Sequence, residues 1–295
     1  MIKNVAIISS SPLMMMLAKS LQDKGQKVII FDIASKKGGA WGWHEKSNKI
    51  KKDYLPKYSN AIVPLNKKEE KFISEMNSIL KKKYKVKVSK TNKKILTHFN
   101  FKNKYIYDFS KFYDFALKNL RFSKLFISTI EILRNKKVKI NKNLIFDKVY
   151  LPSFVGVKNI KNSFNKKNYK LDYREITSEH LFILAKKFKL KNFYYSDYFD
   201  EEFDRVKIDK VGNLYTLTTR LTHKIKGVGL TKLKDKISKF VEKKDIVLTK
   251  LSKFHNYYRS IDQLKNLENA TKKSNIKYVN TTQFVCGFRF LKKIL

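Results

Sequence analysis

The first 32 residues of this 295-residue chain read as a strand, a helix and a second strand. Residues 4–8 form a short apolar run rich in β-branched side chains, as a buried parallel strand requires. Residues 13–24 carry leucines at four-residue spacing, which predicts a helix with one buried stripe that ends at Gly25. Residues 27–31 form a second apolar run. Parallel strands with a crossover helix predict an α/β fold built on a parallel sheet.

Two features of this unit suggest a nucleotide site. The turn after the first strand is Ser9-Ser-Ser-Pro12, whose serines can cap a helix that has proline in its first turn. The second strand is closed by Asp32, which stands 23 residues after Ser9. An acidic residue at this point, about twenty residues beyond the turn, is the ribose-binding position of a dinucleotide-binding unit.

The stretch up to Trp41 resembles the N-terminus of FAD-dependent oxidoreductases of the amine-oxidase, phytoene-desaturase and UDP-galactopyranose-mutase type. Those proteins have a strand, G-x-G-P-x-G-L, a helix, G-x-x-V, a strand, Glu, and then a basic residue and a Gly-Gly pair. The positions that fall in register without a gap are Pro12, Ala18, Leu21, Gly25, Val28, Phe31, Asp32, Lys36, Gly38 and Gly39.

The resemblance implies a Rossmann-like, FAD/NAD(P)-binding fold and a role for each matching position. Asp32 replaces the ribose-binding Glu, and Lys36 stands where the family often has a basic residue near the pyrophosphate. Gly38 and Gly39 match the second glycine motif, whose backbone lies close to the cofactor. Trp41 belongs to a pair of tryptophans in this loop, which either pack in the core or line a cleft for a flat ring.

The three glycines of the first motif are replaced by Ser9, Ser11 and Met14. These glycines permit the tight turn, let backbone approach the pyrophosphate and allow close helix–strand packing. Ser11 can instead donate a hydrogen bond at the helix N-terminus, itself an anion site. Met14 is expected to point into the helix–strand contact, so the resemblance bears more on the fold than on the cofactor. Reverting the three positions to glycine is expected to create or strengthen FAD binding if the rest of the site survives.

The remaining chain predicts a mixed α+β region with an antiparallel hairpin. Apolar periodicity indicates helices over 68–83, 178–189 and 231–242, another starting at Ser260, and helical spacing over 122–133. Strands are expected over 144–151, 246–249 and 276–279, with a basic strand near 81–89 and a surface loop or short helix over 158–170. Residues 205–220 predict two alternating strands around a turn at 211–213.

We therefore predict three parts: a nucleotide-binding part over 1–100, a substrate region over 101–245, and a return to the nucleotide-binding domain over 246–295. The family usually follows its last strand with a Gly-Asp motif and a final helix. Here Asn280 and seven further residues up to Gly287 contain no Gly-Asp, and a closing helix is expected to be missing.

The formal net charge is +41, from 66 Lys and Arg against 25 Asp and Glu. A basic chain attracts phosphates, yet arginine, the preferred residue for bidentate recognition, accounts for only seven of the 66. Abundant Lys, Asn, Ile, Phe and Tyr all have A/T-rich codons, so compositional bias is favoured over nucleic-acid binding. The single cysteine, Cys286, excludes an internal disulfide and a cysteine-based zinc site.

Two polar clusters have alternative interpretations. The first is an acidic cluster, which either binds a cation or forms a loop whose negative charges are compensated by basic side chains. It consists of Asp197, Asp200, Glu201, Glu202 and Asp204. Residues 255–259 place His255 and Arg259 around two tyrosines, where Arg259 would suit an anionic substrate.

The leading hypothesis is an FAD-dependent oxidoreductase-like protein with an atypical flavin site, acting on a nucleotide sugar or an amine. One alternative is a non-catalytic descendant of the fold that binds a partner, and another is a basic nucleic-acid-binding protein. No acid or base is named. No run reaches the roughly 18 apolar residues of a membrane span, and a cytoplasmic location is expected.

Overall fold

The computed structural model describes residues 2–33, 59–62, 64–90, 94–96, 105–190, 193–198, 200–211, 213–281 and 284–295. The strands are β1 (Asn4–Ile8), β2 (Lys27–Asp32), β3 (Ser59–Ile62), β4 (Lys87–Lys90), β5 (Lys94–Leu96), β6 (Tyr105–Asp108), β7 (Arg121–Lys124), β8 (Thr129–Ile132), β9 (Val138–Ile140), β10 (Leu144–Phe146), β11 (Lys148–Pro152), β12 (Asn159–Asn162), β13 (Lys167–Lys170), β14 (Arg174–Ala185), β15 (Phe193–Tyr198), β16 (Phe203–Val211), β17 (Leu214–Leu221), β18 (Ile246–Tyr258) and β19 (Ile276–Val279). The helices are α1 (Pro12–Asp23), α2 (Lys67–Tyr84), α3 (Ser110–Asn119), α4 (Lys234–Ile237), α5 (Ile261–Thr271) and α6 (Phe284–Ile294).

A five-stranded parallel sheet organises the molecule. Its strand order is β19-β11-β1-β2-β7, and every neighbouring pair is parallel. Alternate side chains of β1 enter different layers, with Val5 and Ile7 on one face and Ala6 and Ile8 on the other. The first face packs against α1, α2, α3 and α6, while the second packs against the sheet containing β8 and against α5. The predicted α/β fold with a parallel sheet is confirmed.

Three smaller sheets complete the described architecture. A largely antiparallel six-stranded sheet has the order β18-β14-β17-β16-β15-β5, with β5 paired in parallel at its edge. It contains the predicted hairpin, as β16 and β17. A five-stranded sheet runs β10-β9-β8-β12-β13, and a three-stranded sheet runs β3-β6-β4. The three-part division by residue number stays a prediction, and the parallel sheet takes β7 and β11 from within residues 101–245.

Capping residues set the starts of two predicted helices. The Asn66 side chain accepts a hydrogen bond from the Glu69 amide at the start of α2, at 2.9 Å. The Ser260 hydroxyl accepts one from the Gln263 amide at the start of α5, at 3.2 Å. The helix predicted over 68–83 and the helix predicted to start at Ser260 are both confirmed.

Several secondary-structure predictions are wrong. The helix predicted over 178–189 is strand β14, and the helical spacing over 122–133 falls on β7 and β8. Residues 158–170 form the hairpin of β12 and β13, not a loop or short helix. The helix predicted over 231–242 is reduced to α4 among turns, and the strand predicted over 144–151 is broken into β10 and β11 at Asp147. The basic strand predicted near 81–89 begins later, at Lys87, because α2 runs to Tyr84.

The closing helix that the sequence analysis expected to be missing is present as α6. It packs against α1 and α2 in the helical layer, where Phe288 is fully buried. Residues 280–287 contain no Gly-Asp motif, and the last four of them already belong to α6. The chain therefore has a C-terminal helix without a Gly-Asp motif before it.

Gly287 marks a tight contact between α6 and the first turn of α1. A Cβ atom added to Gly287 would lie 2.1 Å from Cδ2 of Leu13, which is 5% exposed. We expect Gly287→Ala to lower the free energy of unfolding by about 1–3 kcal/mol because Leu13 must leave its packed position. Urea denaturation checks this. The double variant Gly287→Ala with Leu13→Ala should lose less stability than the sum of the losses in the two single variants. A loss equal to that sum would contradict the contact.

Candidate functional site

The carboxyl ends of the parallel strands lie at one edge of the sheet, where open α/β sheets bind ligands. The chain passes from β1 to β2 and β7 on one side, and later to β11 and β19 on the other. The strand order therefore reverses between β1 and β11. The turn of residues 9–11 follows β1 at this switch point, and Asp32 closes the neighbouring strand β2.

Ser9 adopts the backbone conformation that the first glycine of the motif would provide. Its φ is +83°, in the left-handed region that favours glycine. The Ser9 amide donates to the Phe31 carbonyl at 2.7 Å, and the Ser9 hydroxyl accepts from the Ser11 amide at 3.2 Å. The turn thus keeps its shape without glycine, at the cost of backbone strain.

Replacing Ser9 by glycine is expected to raise the free energy of unfolding by up to about 1 kcal/mol, because glycine adopts this φ without strain. The gain is small because glycine also increases the entropy of the unfolded chain. Chemical denaturation of Ser9→Gly and Ser9→Val checks this, with valine expected to destabilise. Equal stability of the two variants would contradict a strained turn.

Asp32 is held by Ser10, a residue that the sequence analysis did not select. Asp32 Oδ2 accepts from the Ser10 amide at 2.7 Å and from the Ser10 hydroxyl at 2.6 Å. Ser10 is fully buried, and its carbonyl accepts from the Tyr113 hydroxyl at 3.1 Å. Burial, helped by the nearby Asp32 carboxylate, raises the pKa of Tyr113 well above its usual value, so its hydroxyl stays protonated and donates. The signal for Ser10 was its place within the glycine motif.

The N-terminus of α1 faces this turn without a side-chain cap. Ser11 is the N-cap residue, with extended backbone, and its side chain forms no capping hydrogen bond. Pro12 occupies the first helical turn, and that turn holds no acidic residue. The first amides of such a helix suit an anion. Ser11 is half-buried and Pro12 is buried.

Met14 is part of the hydrophobic core. It is fully buried and belongs to the core between α1 and the helical face of the parallel sheet. A fully buried methionine therefore stands where the motif has its third glycine.

The other predicted members of the site lie outside the described residues. These are Lys36, Gly38, Gly39 and Trp41. Their roles at the cofactor stay predictions.

Arg259 lies near the carboxyl end of β11. Its guanidinium donates to the carbonyls of Ser153, Val155 and Val157, at 3.1, 2.7 and 2.5 Å. Ser153 also links β11 to the end of β19, because its hydroxyl accepts from the Thr281 amide at 2.9 Å. Arg259 thus shapes the loop after β11 from a distant point in the sequence.

Four members of the acidic cluster, Asp200, Glu201, Glu202 and Asp204, pair with basic side chains. Lys239 Nζ lies 2.7 Å from Asp200 and 2.9 Å from Glu202. Glu201 pairs with Lys224. Asp204 pairs with Arg220 in two charge-assisted bonds. In the part of the chain that the structure describes, no group of three or more His, Cys, Asp and Glu side chains is placed to hold a metal ion. These contacts agree with the charge-compensated interpretation.

The comparison with solved structures places the fold among FAD-dependent oxidoreductases. Cyclohexylamine oxidase from Brevibacterium oxydans matches 100% of this chain and 98% of its own, with a TM-score of 0.55 and 9% identity. An FAD-dependent oxidoreductase from Pseudomonas aeruginosa matches 99% and 89%, with a TM-score of 0.54 and 10% identity. A reduced UDP-galactopyranose mutase matches 98% and 91%, with a TM-score of 0.50 and 8% identity.

Another matched structure is longer, and this chain spans 59% of it. No protein-family model and no curated protein matches the sequence. The likeness therefore establishes the fold. Within the described segments, no helix combines the length and apolarity needed to cross a membrane.

Proposed function

We propose that this chain binds FAD at the carboxyl edge of its parallel sheet and belongs functionally with flavin-dependent oxidoreductases. The observation that carries the proposal is the Asp32 carboxylate, fixed by Ser10 beside the uncapped N-terminus of α1. A dinucleotide needs a carboxylate for ribose and a helix N-terminus for pyrophosphate in this arrangement.

Each residue of the turn has a proposed task. Asp32 accepts a hydrogen bond from a ribose hydroxyl. Ser9, Ser11 and Pro12 form the turn that meets the pyrophosphate, and the Ser11 hydroxyl, which caps no helix amide, is available to donate to a phosphate oxygen. In the family register, Lys36, Gly38 and Gly39 complete the pyrophosphate side and Trp41 lines the ring cleft.

The hydrogen bonds of Asp32 limit how ribose can bind. Each carboxylate oxygen has two lone pairs, and Oδ2 already accepts two hydrogen bonds from Ser10. A ribose hydroxyl that binds Oδ2 therefore has to displace the Ser10 hydroxyl. The residues fit the cofactor on this condition.

FAD would supply the redox chemistry, while the protein supplies position and electrostatics. We propose a nucleotide sugar or an amine as the substrate. The support is the sequence resemblance together with the names of two neighbours, a UDP-galactopyranose mutase and a cyclohexylamine oxidase.

The test is the visible absorption spectrum of the purified protein, with the released cofactor identified by mass. A flavin spectrum with FAD near one equivalent supports the proposal. A colourless protein that takes up no added FAD overturns it.

A specific observation favours one alternative, a non-catalytic protein that keeps the fold. Met14 is fully buried where the motif has its third glycine, and the Ser10 hydroxyl bonds to the acid that ribose would use. The same spectrum decides between the two functions, because this alternative predicts a folded protein without flavin.

A further inference from the structure

Arg259 lies where the six-stranded sheet leads back to the parallel sheet. It follows β18 directly and precedes Ser260, the cap of α5. Arg259 is only 7% exposed. A charged side chain buried this deeply is normally paired with an opposite charge, because an unpaired buried ion is costly.

The described surroundings of Arg259 contain no such counter-charge. Its hydrogen-bond acceptors are three neutral carbonyls, and the ring of Tyr173 lies 5.6 Å from the guanidinium carbon. The groups that act on it electrostatically are the phenols of Tyr173 and Tyr278, and no carboxylate is among them. Burial lowers the pKa of Arg259, but an arginine stays charged at neutral pH.

Two donors of Arg259 are left over, the Nε–H and one N–H of Nη2. A guanidinium has five N–H groups, and the three carbonyls use both on Nη1 and one on Nη2. Nε is buried and has no hydrogen-bond partner. The Nε and Nη2 edge is the one that holds a carboxylate or phosphate side-on, through two parallel bonds.

We infer that Arg259 is the docking cation for an anionic group with two adjacent oxygens, a carboxylate or a phosphate, at the carboxyl edge of β11. The loop it clasps starts at Ser153, immediately after this strand. Aromatic rings flank the position, since Phe154 is 38% exposed and its ring lies 5.8 Å from that of Tyr258. A ligand carrying an anionic group beside an apolar portion matches these surroundings. The inference stands independently of flavin binding.

Arginine side-chain NMR of the full-length, ¹⁵N-labelled protein tests this inference directly. The chain has seven arginines, so the Nε–H region is simple, and the Arg259 signal is the one lost in Arg259→Lys. Inorganic phosphate and acetate are titrated separately at constant ionic strength. We expect a saturable shift of the Arg259 signal with at least one of them, and the anion that shifts it distinguishes phosphate from carboxylate.

Two other arginines serve as controls. The Arg220 Nε–H donates to Asp204 at 2.7 Å, so its signal should not move. Arg174 is exposed and lies opposite Tyr258 in the neighbouring strand, close to Arg259 in the sheet. Arg174→Gln removes this nearby charge and should change the dissociation constant of the anion at Arg259 by no more than about twofold. Arg259→Lys should weaken the affinity for the anion that binds by about tenfold, as measured by thermal stabilisation, because lysine lacks the two-donor edge.

An Arg259 signal that is unmoved by both anions overturns the inference. So does a non-saturating shift shared with exposed Arg174. Either result would mean that Arg259 serves only to hold the loop after β11 through its three hydrogen bonds. If Arg259→Lys does not fold, slow hydrogen exchange of a buried Nε–H identifies the signal, and the wild-type titration decides.

Discussion

Replacing Met14 by glycine is expected to lower the free energy of unfolding by about 3–6 kcal/mol. Removing a fully buried methionine side chain costs about 2–5 kcal/mol, and glycine within a helix adds about 1 kcal/mol. Met14 is 0% exposed and sits in the core between α1 and the parallel sheet. Urea denaturation followed by circular dichroism measures the loss.

Met14→Leu is the matched control, because it keeps the volume and should cost less than about 1.5 kcal/mol. A Met14→Gly protein within about 1 kcal/mol of wild type would mean that α1 moves inward to close the space. The triple reversion of Ser9, Ser11 and Met14 to glycine is therefore a poor test of cofactor binding. The double reversion of Ser9 and Ser11 opens the turn without emptying the core.

The first unit of the fold could be predicted because its signals are local. Each strand of the pair β1 and β2 is a short apolar run, and α1 is bounded by Pro12 and Gly25. A parallel connection of this length has one favoured handedness. The acid at the end of β2 then follows from position alone, which is why Asp32 was found.

The long strand β14 could not be predicted because its two faces are both covered. Residues 181–185, at its C-terminal end, are all buried, so neither face is exposed there, and β17 and β18 fill its two edges. The alternation that identifies a strand is lost in such a continuous apolar run, and a short run does not distinguish strand from helix. Pairing with β17 and β18 decided the structure.

Only part of the candidate site could be predicted from the sequence, for a similar reason. Asp32 has a sequence interval, but its partner Ser10 is chosen by the shape of the turn. Arg259 reaches carbonyls more than a hundred residues away, so no local pattern indicates what it binds. Position in a motif is a local property, whereas a hydrogen-bond partner is set by the fold.

Replacing Asp32 by alanine is expected to weaken FAD binding by about 10- to 100-fold, because a hydrogen bond to a charged group contributes about 1.5–3 kcal/mol. Fluorescence titration of the apoprotein with FAD measures this. Asp23→Ala is the matched control, since it removes a carboxylate from the C-terminal end of α1, whereas the turn lies at the N-terminal end of that helix. An equal loss of affinity in both variants would indicate a general charge effect and contradict a ribose contact.

Ser10→Ala should act in the opposite direction. The Ser10 hydroxyl bonds to Asp32 at 2.6 Å, so its removal releases one lone pair of Oδ2 while the backbone amide still orients the carboxylate. We expect FAD affinity to rise by roughly two- to tenfold and the free energy of unfolding to fall by about 1–3 kcal/mol. Ser20→Ala, which removes another buried hydroxyl of the same layer, should destabilise the protein without tightening FAD. Tighter binding in Ser10→Ala alone would show that the carboxylate is shared between the turn and the ribose, whereas weaker binding would mean that Ser10 preorganises the acid.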